Sequence, residues 1–225
     1  MGDSALLPRL IICYPNHKMN SPPLPLTRLA ILRTMGALHN DPLRYDLETL
    51  RSIILYLSPD MVCADITQEA WEHGNLSEAP LEVREAVAPA IALVDAVLIP
   101  IAPTLVQFSD FHAPPGMRTW LSHRFDRLLQ WGQRKANSPE ALHGIAFEVF
   151  CHTVCALEEM TWQRGAREAY QQRSATLAEN ILAAIQRDPG GRVLVVIQCQ
   201  WQHTLEPLLK EKARDGLQIV DYRAL

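Results

Sequence analysis

Short apolar runs alternate with longer stretches of helical period from Leu29 to the end of this chain, and no other feature limits its fold as much. The strand-like runs are LAILRTMG, MVCADI at residues 61–66, AVLIPIA, RVLVVIQC and LQIVDY. Helical stretches separate them, such as DLETLRSIILYL, in which Asp46 is a predicted N-cap. Strands separated by helices favour parallel pairing. We therefore expect an α/β fold with a mostly parallel central sheet flanked by helices.

The chain has the length of one domain with an extension. Of its 225 residues, residues 26–225 are expected to form a single α/β domain. Residues 118–187 have helical patterns only, which predicts a helical insertion between the third and fourth strands. Residues 1–25 contain the proline cluster SPPLPL and form a predicted N-terminal extension, which packs either on this domain or on the partner subunit of a homodimer.

Charge and cysteine content exclude several classes of protein. The 21 Lys and Arg against 25 Asp and Glu give a net charge of −4, whereas nucleic acids and anionic membranes are normally met by a dense basic face. We expect neither partner. The most apolar span, residues 86–108, contains Asp95 and three prolines, which favours a helix and a buried strand over a membrane span. Five cysteines, an odd number, and no recognisable signal sequence predict a cytoplasmic protein with reduced thiols.

Polar side chains follow the predicted strands at the point where each strand ends. His39 follows the first, Asp65 closes the second, and Gln200 to His203 follow the fourth. The carboxyl ends of parallel strands meet at one edge, where ligands bind. Two imidazoles and a carboxylate are a common ligand set for Zn, Mn, Co or Fe, so His39, Asp65 and His203 are predicted metal ligands. Without a metal, His39 oriented by Asp65 is the predicted general base for a water.

Other histidines and the cysteines give weaker indications. Each histidine taken alone is also explained as a solvated loop residue. His112, in the loop SDFHAPPGM, is either a lid over the site or a surface loop tip. Cys151 and Cys155 lie four apart in an apolar helix and are interpreted as small buried hydrophobic residues. Dinucleotide-binding, P-loop, serine-hydrolase and zincin motifs are absent from the sequence.

Residues 35–66 resemble the opening unit of the TraB, Tiki, ChaN and erythromycin-esterase superfamily. That unit is a strand ending in GxxH, a helix, a PD turn and a strand ending in an acidic residue; here these are Gly36 to His39, Pro59-Asp60 and Asp65. The helix QRSATLAENILAAI is similar to a later helix of the family, with Arg173 at the arginine of the motif. RVLVVIQCQWQH is similar to a late strand that continues into a second GxxH, ending at His203.

The chain departs from this pattern at two places: Asp65 replaces the usual Glu, and Gln200 replaces the Gly of the second motif. The resemblance implies a site at the same strand-end edge, with Arg173 stabilising an oxyanion. Gly36, Gln200 and Trp201 are the predicted substrate contacts at this site, with His112 as the predicted lid residue. Activities known in the superfamily are metal-dependent peptide hydrolysis, metal-independent ester hydrolysis and haem binding.

We therefore expect an enzyme that hydrolyses or otherwise transforms a small organic or peptide substrate at His39, Asp65, Arg173 and His203, with a divalent metal as the predicted cofactor. Two alternatives remain. The altered second motif and Trp201 favour a biosynthetic lyase, cyclase or isomerase, because a drier pocket suits proton transfer on an organic substrate. The second alternative is a haem-binding protein without catalysis, in which His39 or His203 is the axial ligand.

Overall fold

Five strands form one parallel sheet in the computed structural model, which describes residues 25–41, 43–77, 79–103, 117–213 and 216–225. The strands are β1 (Thr27–Thr34), β2 (Met61–Ala64), β3 (Val97–Pro100), β4 (Arg192–Gln198) and β5 (Leu217–Val220). Their order across the sheet is β3-β2-β4-β1-β5, and every neighbouring pair is parallel. The predicted α/β fold is confirmed, and each strand overlaps one of the predicted apolar runs.

Helices connect these strands. They are α1 (Leu47–Leu57), α2 (Gln68–Glu72), α3 (Ala88–Ile91), α4 (Met117–Lys135), α5 (Pro139–Leu142), α6 (Ile145–Glu159), α7 (Arg164–Arg187) and α8 (Cys199–Lys212). The predicted cap of α1 is present, since the Asp46 side chain accepts a hydrogen bond from the Thr49 N–H at 2.8 Å. Helices α4 to α7 form the predicted helical section between the third and fourth strands.

Helix α8 differs from its prediction in one respect that matters for the site. The sequence pattern predicts a helix only from residue 204 onward, in TLEPLLKEKARDG, and leaves Gln200 to His203 between it and the fourth strand, but α8 begins at Cys199, directly after β4. The reason is tertiary packing: Trp201 is fully buried and stacks on the Tyr170 ring with centroids 4.8 Å apart. Residues 200–203 therefore have helical spacing, and their side chains point in different directions.

The core has two halves, one on each face of the sheet, because side chains alternate along a strand. Even-numbered residues such as Ala30 and Leu32 pack against α1 and the helices near it. Odd-numbered residues such as Leu29 and Ile31 pack against α7 and α8. The connection after β1 therefore lies on one face and the connection after β4 on the other.

Two sequence predictions concern membranes and the extension. Within the described ranges, no helix has the length and hydropathy needed to cross a bilayer. Residues 1–24 of the predicted extension and the predicted lid residue His112 lie outside the described residues.

Candidate active site

The strand order creates a crevice between the carboxyl ends of β1 and β4. These two strands are neighbours, yet the chain leaves β1 for β2 through α1 on one face and leaves β4 for β5 through α8 on the other. Adjacent strands whose connections run to opposite faces leave a crevice beyond their ends, where ligands of open α/β sheets bind. The position of a ligand site is thus set by topology before any side chain is considered.

A pocket of about 100 Å³ lies at this place, in the groove between α6 and α8. Arg33, near the end of β1, lines it from the sheet. One stripe of α8 lines one wall, at positions three, four and seven apart: Cys199, Gln202, His203, Glu206, Pro207 and Lys210. The other wall comes from α6: Phe147, Glu148, Cys151 and His152. We call this space the α6–α8 groove.

The chemistry of the α6–α8 groove centres on His203. Its Nε2 lies 2.6 Å from a carboxylate oxygen of Glu159, and its Nδ1 lies 2.7 Å from the carbonyl oxygen of Gln200. A carbonyl only accepts, so Nδ1 carries a proton and donates it to Gln200. One further proton is then shared between Nε2 and Glu159. The pair is therefore an imidazole–carboxylate couple that holds an exchangeable proton at the groove.

A second imidazole stands beside this pair. The ring of His152, on α6, has its centroid 5.8 Å from that of His203, and it is exposed at the mouth of the groove. Behind His203, the Tyr170 hydroxyl donates to the same Gln200 carbonyl at 2.9 Å, which fixes that acceptor. The groove thus offers one oriented imidazole and one accessible imidazole.

Asp65 and Arg173 support the inner side of this arrangement. Both are buried, and an Arg173 Nη2 donates to Asp65 Oδ1 at 2.6 Å. The Arg173 guanidinium lies 5.0 Å above the Trp201 ring, and Trp201 in turn stacks on Tyr170. Burial raises the pKa of Asp65 to about 6, although the Arg173 charge opposes the rise. Contacts thus connect four of the predicted residues: Asp65, Arg173, Trp201 and His203. The connection between Trp201 and His203 runs through the Tyr170 ring, which stacks on both.

A ladder of alternating charges runs along the groove wall. Arg33 contacts Glu148 at 2.8 Å and donates through Nε to the Gln202 side chain. Gln202 donates to Glu206 at 2.5 Å, and Glu206 contacts Lys210 at 2.8 Å. Because each cation of this ladder has a carboxylate partner, the wall has no excess of either charge. Such a wall suits an uncharged or zwitterionic ligand better than a phosphate.

His39 does not lie in this groove, and its hydrogen bonds do not suit the roles predicted for it. Its Nε2 accepts the Met35 N–H at 3.0 Å, and its Nδ1 lies 2.8 Å from the Tyr45 carbonyl, to which it donates. Burial lowers the pKa of His39, which agrees with a neutral ring. With both nitrogens bound to backbone, His39 holds the turn after β1 in place, and in this arrangement one of those hydrogen bonds would have to break before the ring could act as the predicted general base.

The predicted metal set is not assembled. Across the parts of the chain that the structure describes, no three His, Cys, Asp or Glu side chains are grouped closely enough to share an ion. Asp65 faces Arg173, and His203 faces Glu159, while both nitrogens of His39 are bound to backbone. An axial haem bond from either predicted histidine would likewise require one of its two hydrogen bonds to break.

The predicted substrate contacts have different outcomes. Trp201 does not line the pocket, because its ring is buried and stacked on Tyr170. Gln200 acts through its backbone carbonyl rather than its side chain. Gly36 has a positive φ of 58°, and a Cβ there would lie 3.0 Å from the Gln198 side chain, so it serves a tight turn after β1.

Sequence reasoning missed Glu159, Tyr170, His152 and Arg33. His152 and Glu159 lie in and at the end of a helix whose pattern is mainly apolar, and nothing local marks them as site residues. A weak signal exists on α8, where Gln202, Glu206 and Lys210 repeat every four residues. That spacing indicates a polar stripe but does not reveal what faces it.

The chain matches no known family model, no curated protein and no solved structure.

Proposed function

We propose that this protein is an enzyme that transforms a small organic or peptide substrate by acid–base chemistry in the α6–α8 groove. The observation that carries the proposal is the Glu159–His203 pair, because its histidine lines a pocket at the crevice between β1 and β4. A convergent imidazole and carboxylate in such a crevice are typical of catalytic sites.

His203 is the proposed proton carrier. The Gln200 carbonyl holds its Nδ1, so the ring orientation is fixed and only the proton near Nε2 is exchangeable. Glu159 stabilises the imidazolium form when His203 takes a proton and accepts the shared proton when it does not. His152, on the accessible side, is the proposed contact for a water or for the leaving group.

Hydrolysis is the first reaction class, and proton transfer on an organic substrate is the second. Hydrolysis needs a water at the open mouth of the groove, where His152 is exposed. The second class is favoured by the buried side of His203, where the Tyr170 ring stacks on the imidazole with Trp201 behind it and keeps water away. Both classes use the same proton carrier, so one set of variants tests them together.

A relationship to the TraB, Tiki, ChaN and erythromycin-esterase superfamily remains part of the proposal. The relationship is supported by one connected group of side chains, which contains Asp65, Arg173 and His203. These three residues come from three separate blocks of the resemblance. His39 and a divalent metal do not gain such support. Elemental analysis of the purified protein tests the metal, and a Soret shift on adding haem tests the binding alternative.

The experiment is a turnover assay on a panel of esters, amides and peptides, with a separate search for isomerised or eliminated products. For any substrate found, His203→Gln and Glu159→Gln are expected to lower kcat by about 10² to 10⁴-fold, the usual contribution of a positioned acid–base group. His73→Gln is the matched control, since His73 is an exposed histidine after α2 that also hydrogen-bonds a helix carbonyl. Wild-type turnover in His203→Gln, with folding intact, would contradict the proposal.

A further inference from the structure

Helix α6 exposes an outer face that has almost no charge. Ile145, Val149 and Met160 are 81%, 60% and 71% exposed. Their neighbours on that face are Ala146, Thr153, Ala156 and Leu157, all exposed as well. A helix that is apolar on its outer face as well as its inner face is normally covered on both. The inner face already packs on the sheet through Phe147, Cys151, Val154 and Cys155.

The outer face has the spacing of a helix-pairing seam. Ala146, Val149, Thr153, Ala156 and Met160 follow one another at intervals of three, four, three and four residues. This is the spacing with which one helix packs along another. The one hydroxyl in the seam is already satisfied, because Thr153 donates to the Val149 carbonyl of its own helix at 2.7 Å. Burying the seam would therefore leave no side-chain donor without a partner.

Helix α4 extends the same surface. It runs antiparallel to α6, since Ser122 donates to Glu158 at 3.0 Å while Trp131 contacts Phe150 further along. Trp131 is 55% exposed, and Trp120 is exposed to the same extent, with the Arg124 guanidinium 5.0 Å from the centre of its ring. Two tryptophans at this exposure leave roughly 200–300 Å² of surface in water. With the aliphatic residues of α6, the patch exceeds the few hundred Å² usual on a monomer and approaches the ~800 Å² that one subunit gives to a stable interface.

We infer that this face binds a second copy of the chain, with the two α6 helices antiparallel about a twofold axis at Thr153. In that arrangement Ala146 lies opposite Met160, a small residue against a large one, and Val149 lies opposite Leu157, which is exposed beside the seam. No side chain of the seam is charged, so the pairing brings no like charges together. Helix α6 itself carries no Lys or Arg, which disfavours an anionic membrane surface as the occupant of its outer face.

A cysteine at the axis tests this geometry directly. In a Cys13→Ser background, Thr153→Cys is expected to form an intermolecular disulfide under copper-catalysed air oxidation, because the two residues 153 face each other. The four described cysteines are buried and give little background. Ala146→Cys is the register control: its two copies would lie roughly 20 Å apart, which is beyond the reach of a disulfide. Cross-linking at 146 but not at 153 would overturn the antiparallel arrangement.

The mass in solution is the second measurement. The native chain is expected to sediment at twice its 25.3 kDa, and Val149→Glu is expected to sediment as a monomer with unchanged far-UV circular dichroism. Tyr56→Glu is the matched control, because Tyr56 is an exposed apolar residue on α1, away from the seam. A monomeric native protein, with the seam covered by another segment or open to water, would overturn the inference. The result does not depend on turnover, so it stands or falls separately from the proposed function.

Discussion

His39 and His203 both follow strands at the carboxyl edge, but their hydrogen bonds give them different chemistry. Each has both ring nitrogens occupied, and the difference lies in the partners. His39 has two backbone partners, one donor and one acceptor, which fix a neutral ring. His203 has a carbonyl and a titratable carboxylate, so a proton can move across one of its bonds. The identity of a residue at a strand end therefore does not reveal whether it is structural or reactive.

At the residue scale, the Asp65–Arg173 pair allows a test of stability. Asp65→Asn leaves the buried guanidinium without its carboxylate, and arginine does not deprotonate to relieve this. We expect the free energy of unfolding at pH 7 to fall by about 3 kcal/mol, as for other buried pairs broken on one side. Urea denaturation measures it. Glu168→Gln breaks the exposed Arg164 pair of similar length, 2.7 Å, and should cost less than about 1 kcal/mol. Equal losses in the two variants would show that burial of the Asp65 pair has no energetic consequence.

At the scale of an element, α8 carries most of the groove and contains an internal proline. Pro207 lies in the ninth position of this helix and has no N–H for the carbonyl of His203, four residues earlier. The carbonyl of the proposed proton carrier is thus left without its usual helical donor. The helix is less stable because this hydrogen bond is missing.

Replacing this proline should stabilise the helix. We expect Pro207→Ala to raise the free energy of unfolding by about 1–3 kcal/mol, because the alanine restores the missing hydrogen bond and has a high helix propensity. Thermal and urea unfolding measure the gain. Pro139→Ala is the control, since Pro139 occupies the first turn of α5, where no helical hydrogen bond is lost. A Pro207→Ala protein no more stable than wild type would mean that packing of the ring in the groove offsets the missing bond.

At the scale of the whole molecule, the end of the sheet depends on a neutral histidine. Strand β5 pairs with β1 only as far as Ala30, so the N–H of Arg33 extends beyond it. His143, between α5 and α6, accepts that N–H through Nε2 at 3.1 Å. Burial, with the nearby Arg33 charge, lowers the pKa of His143 to about 3. The helical section and the sheet are therefore joined by a bond that exists only with the ring neutral.

This bond predicts how stability depends on pH. The folded pKa lies below the unfolded value of 6.5, so the unfolded chain binds a proton first and stability is lost as pH falls below about 6.5. From pH 7 to pH 5, the advantage of wild type over His143→Gln should shrink by roughly 2 kcal/mol. Asp65 acts in the opposite direction, because its raised pKa favours the folded state as pH falls through about 6. Comparing the two proteins at each pH cancels that contribution, and a constant difference would contradict the prediction.

The sequence by itself determined the elements and the edge at which polar residues collect. Periods of two and 3.6 residues are local properties, so they identified five strands, the helical section and the Asp46 cap. They also placed Asp65 and His203 near strand ends. The start of α8 was misplaced because the burial of Trp201 against Tyr170, which draws residues 199–203 into the helix, is not a local property.

Only the tertiary structure decided which of these residues meet. Arg173 reaches Asp65 across 108 residues, and His203 reaches Glu159 across 44. These contacts depend on β4 lying between β2 and β1, and on α6 lying beside α8, which no local period encodes. The same packing bound both nitrogens of His39 to backbone and kept it out of the groove. The residue pattern of a strand shows where the strand ends, and so which side chains lie at the edge of the sheet. Which other side chains lie beside them is determined by the packing of the whole core, and the chemistry of a site depends on those contacts.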